Sequence, residues 1–172
     1  MRGARRKLRT AAALAALALG ALGALSAGAG IARAQNTDLT VTGAPLSFPA
    51  PTAADFNAGY LLYPSPVTIQ VNAVTGSARI DRVATVSVRA TSATMGNGKS
   101  VADLEWSYGS PVGPWQAMST LAATVDSKAM QKNRVNDPWS GQIYFRLRLS
   151  WATDTPATYT AGLEFLLSVA AQ

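Results

Sequence analysis

Neither cysteine nor histidine occurs in the 172 residues. Without cysteine there is no disulfide framework, no thiolate metal centre and no lipid-anchoring cysteine. Without histidine the commonest general base and the commonest metal ligand are missing. Ser-His-Asp and Cys-His triads are therefore impossible, and so are the histidine-based zinc motifs. Charge is sparse, at 14% of residues. After the first 34 residues, no long stretch repeats its apolar positions at helical spacing.

The N-terminus has a different character. Met1 to Thr10 carries Arg2, Arg5, Arg6, Lys7 and Arg9 with no acid, and Ala11 to Leu25 is a run of Ala, Leu and Gly. Small residues follow, ending in Ala32-Arg33-Ala34. A basic start, a short apolar run and an A-x-A site describe a secretory leader. The apolar run falls short of the about 20 residues a membrane span needs. The reading is a cleaved signal peptide over residues 1–34 and one secreted domain over 35–172, with no membrane span after cleavage. An uncleaved anchor is the alternative, and Arg5-Arg6 leaves twin-arginine export open beside the general route.

Removing the leader changes the charge argument. The formal +6 of the chain resides in Arg2, Arg5, Arg6, Lys7, Arg9 and Arg33, and nine basic and nine acidic residues remain. A nucleic-acid partner needs a basic patch on the folded domain, so the high isoelectric point points to none. Near-zero net charge also removes one brake on self-association.

What remains alternates with period two. From Gln142 to Trp151, Ile143, Phe145, Leu147, Leu149 and Trp151 fall on one face, and Gln142, Tyr144, Arg146, Arg148 and Ser150 on the other. A strand sends successive side chains to opposite faces, so this spacing predicts a strand with one buried side. Tyr159, Ala161, Leu163, Phe165, Leu167 and Val169 repeat the pattern. Asp154 and Pro156 mark a turn between the two, which reads as a hairpin-like antiparallel pair. Shorter strands are expected at Leu39–Val41, Val67–Val71, Ala84–Ala90, Leu104–Tyr108 and Trp115–Met118, separated by Thr75-Gly76-Ser77, Met95-Gly96-Asn97-Gly98 and Gly109-Ser110-Pro111. About seven short strands with frequent turns predict an all-β, antiparallel two-sheet β-sandwich, immunoglobulin-like, with a closed barrel as the structural alternative. The extended N-terminal segment 35–66 holds five prolines between Ala44 and Pro66 and reads as irregular or edge-like. Leu121 to Asn136 is polar and reads as a loop, in preference to a charged edge.

Candidate chemistry is thin. Gly98-Lys99-Ser100 resembles the end of a phosphate loop, but Ala93 stands where that motif needs glycine, so it reads as a surface turn. Asp154-Thr155-Pro156 reads as a plain turn. Asp103 and Glu105 are expected on one solvated strand face, where like charges are common and a catalytic carboxylate pair is the lesser reading. Asp126, Asp137 and Asp154 stand in no Asp-x-Asp loop, so no metal site is assigned and no cofactor is implied. Trp106 and Trp151 are in phase with apolar neighbours and read as core. Trp115 and Trp139 each follow a proline. With Tyr108 they are the candidate ligand-binding residues, a platform on which a sugar ring would stack; folding back as a plug over the sandwich end is the preferred reading for the two tryptophans.

Leu104-Glu105-Trp106-Ser107-Tyr108 followed by Trp115-Gln116-Ala117-Met118-Ser119 resembles the strand-turn-strand of secreted bacterial immunoglobulin-like modules. Pro156 to Phe165 resembles the closing strand of WxL-type surface domains and spore-coat-U-like pilus subunits, with Ala157 where those have glycine and without the cysteines usual in the latter. The resemblance implies a sandwich in a cell-surface or fibre setting and carries over no functional residue. The expectation is a non-catalytic structural or adhesive surface protein, a fibre or coat subunit being one form, with a carbohydrate- or ligand-binding module as the alternative. Its partners would be itself or other surface proteins, or a glycan. Gln35 to Phe48 would reach a neighbour by β-strand addition, although pairing of Leu39–Val41 inside its own domain is preferred.

Overall fold

The computed structural model describes residues 36–74, 80–132 and 134–172; the expected leader and the expected Thr75-Gly76-Ser77 turn lie outside them. The described residues form eleven strands and one short α-helix. The strands are β1 (Asn36–Thr42), β2 (Leu46–Phe48), β3 (Tyr60–Leu62), β4 (Val67–Val74), β5 (Arg82–Ala90), β6 (Leu104–Tyr108), β7 (Gln116–Ala117), β8 (Ala123–Met130), β9 (Trp139–Arg148), β10 (Tyr159–Ala161) and β11 (Leu163–Ala171). Helix α1 spans Ala53–Ala58. The protein is thus all-β, and every ladder is antiparallel.

The first sheet runs β1-β4-β9-β6-β7, with β3 also pairing β9. A second runs β11-β5-β8, and β10 pairs β2 separately. Period-two burial explains how these make one interior. Val67, Ile69 and Val71 of β4, Leu104 and Trp106 of β6, and Ile143, Phe145 and Leu147 of β9 are buried on alternate positions. They share one apolar cluster with Val86, Val88 and Ala90 of β5, Val125 of β8, Leu46 and Phe48 of β2, and Tyr159 and Ala161 of β10. Each large side chain so buried is worth roughly 1.5–3 kcal/mol before entropy is subtracted.

The N-terminal strand completes its own sheet: Leu39 faces Val71 and Val41 faces Ile69 across the β1–β4 ladder. Three expectations are corrected. The segment Leu121 to Asn136 is not a loop, since β8 occupies its centre and pairs with β5 along its length. A register shift between Val86 and Ser87 leaves Val125 as an extra residue, which breaks the alternation that would have revealed the strand. The last two long strands are not a hairpin either. β9 pairs with β3, β4 and β6, whereas β11 pairs with β5 in the other sheet. The connection between them crosses from one sheet to the other, through a turn in which the Thr153 and Asp154 amides bond the Ser150 carbonyl.

Trp151 is not core. β9 ends at Arg148, so Trp151 leaves the buried face and stands 60% exposed. It stacks on Phe56 of α1 at 4.5 Å and donates from Nε1 to Asn57 Oδ1 at 3.2 Å. The proline-rich segment is edge-like as expected, since among the described residues β2 pairs only with β10 and β3 only with β9, and it also holds α1. Thr52 and Asp55 cap α1 reciprocally, each side chain taking the other's backbone N–H. Gly59 closes the helix in the left-handed conformation (φ 77°), which glycine adopts without steric cost.

Candidate functional site on the outer face of the first sheet

Residues that alternate with the buried ones on β3, β9, β6 and β7 make the outer face. Register places Leu62, Arg146, Glu105 and Ala117 in one row across it. Arg146 is the centre of this row. Its guanidinium carbon lies 4.5 Å from the Trp115 ring centre and 5.4 Å from that of Tyr60. Its Nε donates to Glu105 Oε2 at 2.5 Å. The guanidinium is thus held between two aromatic faces, neutralised by one carboxylate and desolvated enough for the cation–π contacts to count.

Tyr60, Leu62, Pro111, Val112, Trp115 and Arg146 line an open groove of about 300 Å³. Its rim is apolar and accessible: Tyr60 is 38% exposed, Leu62 46% and Val112 86%. Beyond the groove the same face is polar. Gln70, Ser140 and Gln142 are exposed there, and Tyr144 Oη donates to Gln142 Oε1 at 2.7 Å. The groove offers stacking surface, one fixed cation–carboxylate pair and amide hydrogen-bonding groups.

The three sequence candidates separate. Trp115 belongs to this groove. Tyr108 and Trp139 lie on the inward rows of β6 and β9, half-buried and packed against the core. Tyr108 lies across Gly141, where a Cβ would enter its ring, and its Oη donates to Asp126 Oδ2 of β8 at 2.7 Å. Burial, followed by the Asp126 bond and charge, pushes the Tyr108 phenol up to about 12. Trp139 takes Lys128 Nζ of β8 over its ring at 5.5 Å. Trp139 is packed against the core, whereas Trp115, equally expected to fold back, lies on the outer face instead. Tyr60 and Arg146 were not legible as site residues: three-residue β3 lies in a proline-rich segment, and Arg146 reads as an ordinary outward charge.

A second polar cluster joins two loops. Lys99, expected on a surface turn, has a side chain only 5% exposed. Its Nζ lies 2.8 Å from both oxygens of Asp154 and 3.2 Å from Asp103 Oδ2. Asp154, 8% exposed at its side chain, also accepts the Ser150 amide. Tyr159 Oη beside it donates to the Thr155 carbonyl at 2.5 Å. Lys99, Asp103, Asp154 and Tyr159 border a cleft of about 410 Å³. The arrangement is that of a lock: the one cation is bound by the carboxylates and leaves no free charge for an anion. Asp103 and Glu105 do not pair with each other. Asp103 sits in a short 3-10 turn against Lys99, and Glu105 sits on β6 against Arg146. Among the described residues no group of His, Cys, Asp and Glu is arranged to hold a metal ion. No helix among them is long and apolar enough to cross a membrane.

The chain matches no known family model, no curated protein and no solved structure.

Proposed function

We propose that this chain is an exported, non-catalytic surface domain, an immunoglobulin-like sandwich of two sheets that serves as an adhesive or structural element outside the cell. The observation that carries the reading is the groove on the outer face. Tyr60, Leu62 and Val112 form an accessible apolar rim beside Trp115 and Arg146. Aromatic residues and arginine ringed by polar groups are the composition of contact surfaces. The rest of the molecule supports the groove as a stiff platform, since Arg146 stands on the central strand β9. The leader-like N-terminus supports residence outside the cytoplasm.

The test is cell fractionation followed by bead adhesion. The chain should be recovered outside the cytoplasm with Gln35 as its first residue. Beads coated with it should adhere to the surface of the producing cells, and a Tyr60→Ala, Trp115→Ala double variant should lose that adhesion. Retention of the full-length chain in the cytoplasm, or adhesion indifferent to the double variant, overturns the proposal.

The polar strip of Gln70, Gln142 and Tyr144 running on from the groove favours glycan as a second reading. A sugar ring would stack on Trp115 while amide groups take its hydroxyls. A glycan array with the same double variant decides it, and an empty array for the parent protein removes this reading.

A further inference from the structure

We infer that β11 is the self-association edge of the protein and pairs with β11 of a second copy to make a closed dimer. The inference rests on the surface-domain reading above and names one partner for it. Exposed sheet edges are ordinarily blunted by shortness, charge, proline or a bulge. Among the described residues, four of the five edges of the two larger sheets carry such a device. β7 has only two residues and β3 only three, β1 carries Asp38, and β8 has Asp126, Lys128 and the bulge at Val125. β11 has only one of them, a charge already held in an ion pair. It runs nine residues with no proline, glycine or bulge, and its one charge, Glu164, is already paired with Arg89. It passes beside β1 without sharing a ladder with it.

Burial along β11 is also incomplete. Its inward residues Leu163, Phe165, Leu167 and Val169 are only half-buried. Their ladder partners on β5, namely Ala90, Val88, Val86 and Ala84, are 3%, 0%, 0% and 0% exposed. A further strand beside β11 would cover that apolar row. The sequence of β11 suits an antiparallel copy of itself. With the two-fold axis at Leu167, Phe165 meets the second copy's Val169, Leu166 meets Ser168, and Glu164 meets Ala170. Every aromatic or branched pair is favourable and no like charges oppose. Such an interface is isologous, so it closes at two copies and does not propagate into a fibre. The dimer then carries two outer-face grooves, and bivalent contact raises avidity without a new contact.

The experiment is sedimentation velocity on the chain as recovered from the exporting host, from micromolar to several hundred micromolar. The parent should dimerise. Leu166→Lys, Ser168→Lys sets two lysines opposite each other at each facing pair, and should weaken the dimer at least tenfold. Leu166→Lys, Ser168→Glu restores opposite charges at the same pairs, and should recover it. Circular dichroism checks that both variants fold. If either does not, hydrogen exchange on the parent substitutes: β11 amides should exchange more slowly as concentration rises. A parent monomeric throughout, or a double-lysine variant that associates equally well, overturns the inference. The groove lies on the other sheet, so a monomer that still adheres through Tyr60 and Trp115 defeats self-association alone. A dimer without adhesion defeats only the adhesive reading.

Discussion

Tyr108 and Asp126 tie the two larger sheets together: the phenol of β6 donates a 2.7 Å bond to the carboxylate of β8. The bond exists because β9 has Gly141 at the inward position beside it, where a Cβ would meet the Tyr108 ring. One glycine thus sets the position of a cross-sheet contact. Gly141→Ala should displace the ring and cost about 1–3 kcal/mol, the usual range for overpacking. Urea denaturation measures it, and an unchanged midpoint would refute the close approach.

The same contact predicts behaviour at high pH. The folded-state phenol is held at about 12, above its ordinary 10. The unfolded chain therefore releases this proton first as pH rises. The stabilisation is fully present below pH 10 and drains away as the pH climbs towards 12. Tyr108→Phe should be less stable than the parent at pH 7, by about 1–2 kcal/mol for a bond to a charged acceptor at a partly exposed site. The gap should narrow above pH 10. Denaturation at pH 7, 9 and 11 checks both the offset and its decline.

Lys99 and Asp154 make a different kind of bond between distant parts of the chain, holding the loop after β5 to the turn after β9. Both side chains are nearly buried, so removing one leaves the other charged and unsolvated. Lys99→Met or Asp154→Leu alone should cost about 3–5 kcal/mol, whereas the double variant should lose much less. Asp103 softens the Asp154 variant slightly, since it still faces Lys99. A thermal double-mutant cycle reads the coupling. Strictly additive losses would mean that the pair does not act as a unit.

The fold was legible where alternation was clean. Ile143, Phe145 and Leu147 on β9, and Val86 and Val88 on β5, are buried as the dyad spacing requires. It was obscured where a local feature broke the period. The extra residue Val125 hid β8, and the end of β9 at Arg148 took Trp151 out of a register that the sequence alone extends. Strand partners were less legible still. Nothing in the composition of β11 says that it pairs with β5 rather than with β9, because pairing is decided by which faces must close one core. Of the candidate groove, only Trp115 is singled out by the sequence. Arg146 acquires meaning only from the register that brings it to Glu105 and between two rings.

Helix α1 carries an acid-sensitive cap. Asp55 is held below its ordinary 3.8, first by the Thr52 side chain and then by the Thr52 backbone. Its depressed value means the cap contributes fully above the unfolded-state pKa and is lost as pH falls through the folded one. Thr52→Ala should destabilise by about 1 kcal/mol at neutral pH, as loss of an N-cap does. The difference from the parent should shrink in acid. Because Phe56 stacks on Trp151, the Trp151 fluorescence should report the same acid step, and should lose it in the Thr52→Ala variant.

The two tryptophans once grouped as one platform should behave oppositely when truncated. Trp139 is half-buried against the core and covered by Lys128, so its loss leaves a void between sheets. Trp139→Ala should cost about 2–3 kcal/mol, below the 3–5 typical of a fully buried ring. Trp115 lies on the outside over Arg146, and that guanidinium keeps Glu105 and Tyr60 when the indole goes. Trp115→Ala should therefore cost only about 1 kcal/mol, the scale of one partly solvated cation–π contact. Binding should divide the other way, with adhesion or glycan capture lost in Trp115→Ala and kept in Trp139→Ala wherever the latter remains folded. Chemical denaturation and bead adhesion on the same two variants give four measurements. A Trp139→Ala protein that is stable but no longer binds would move the contact surface from the outer face to the surroundings of Tyr108 and Trp139.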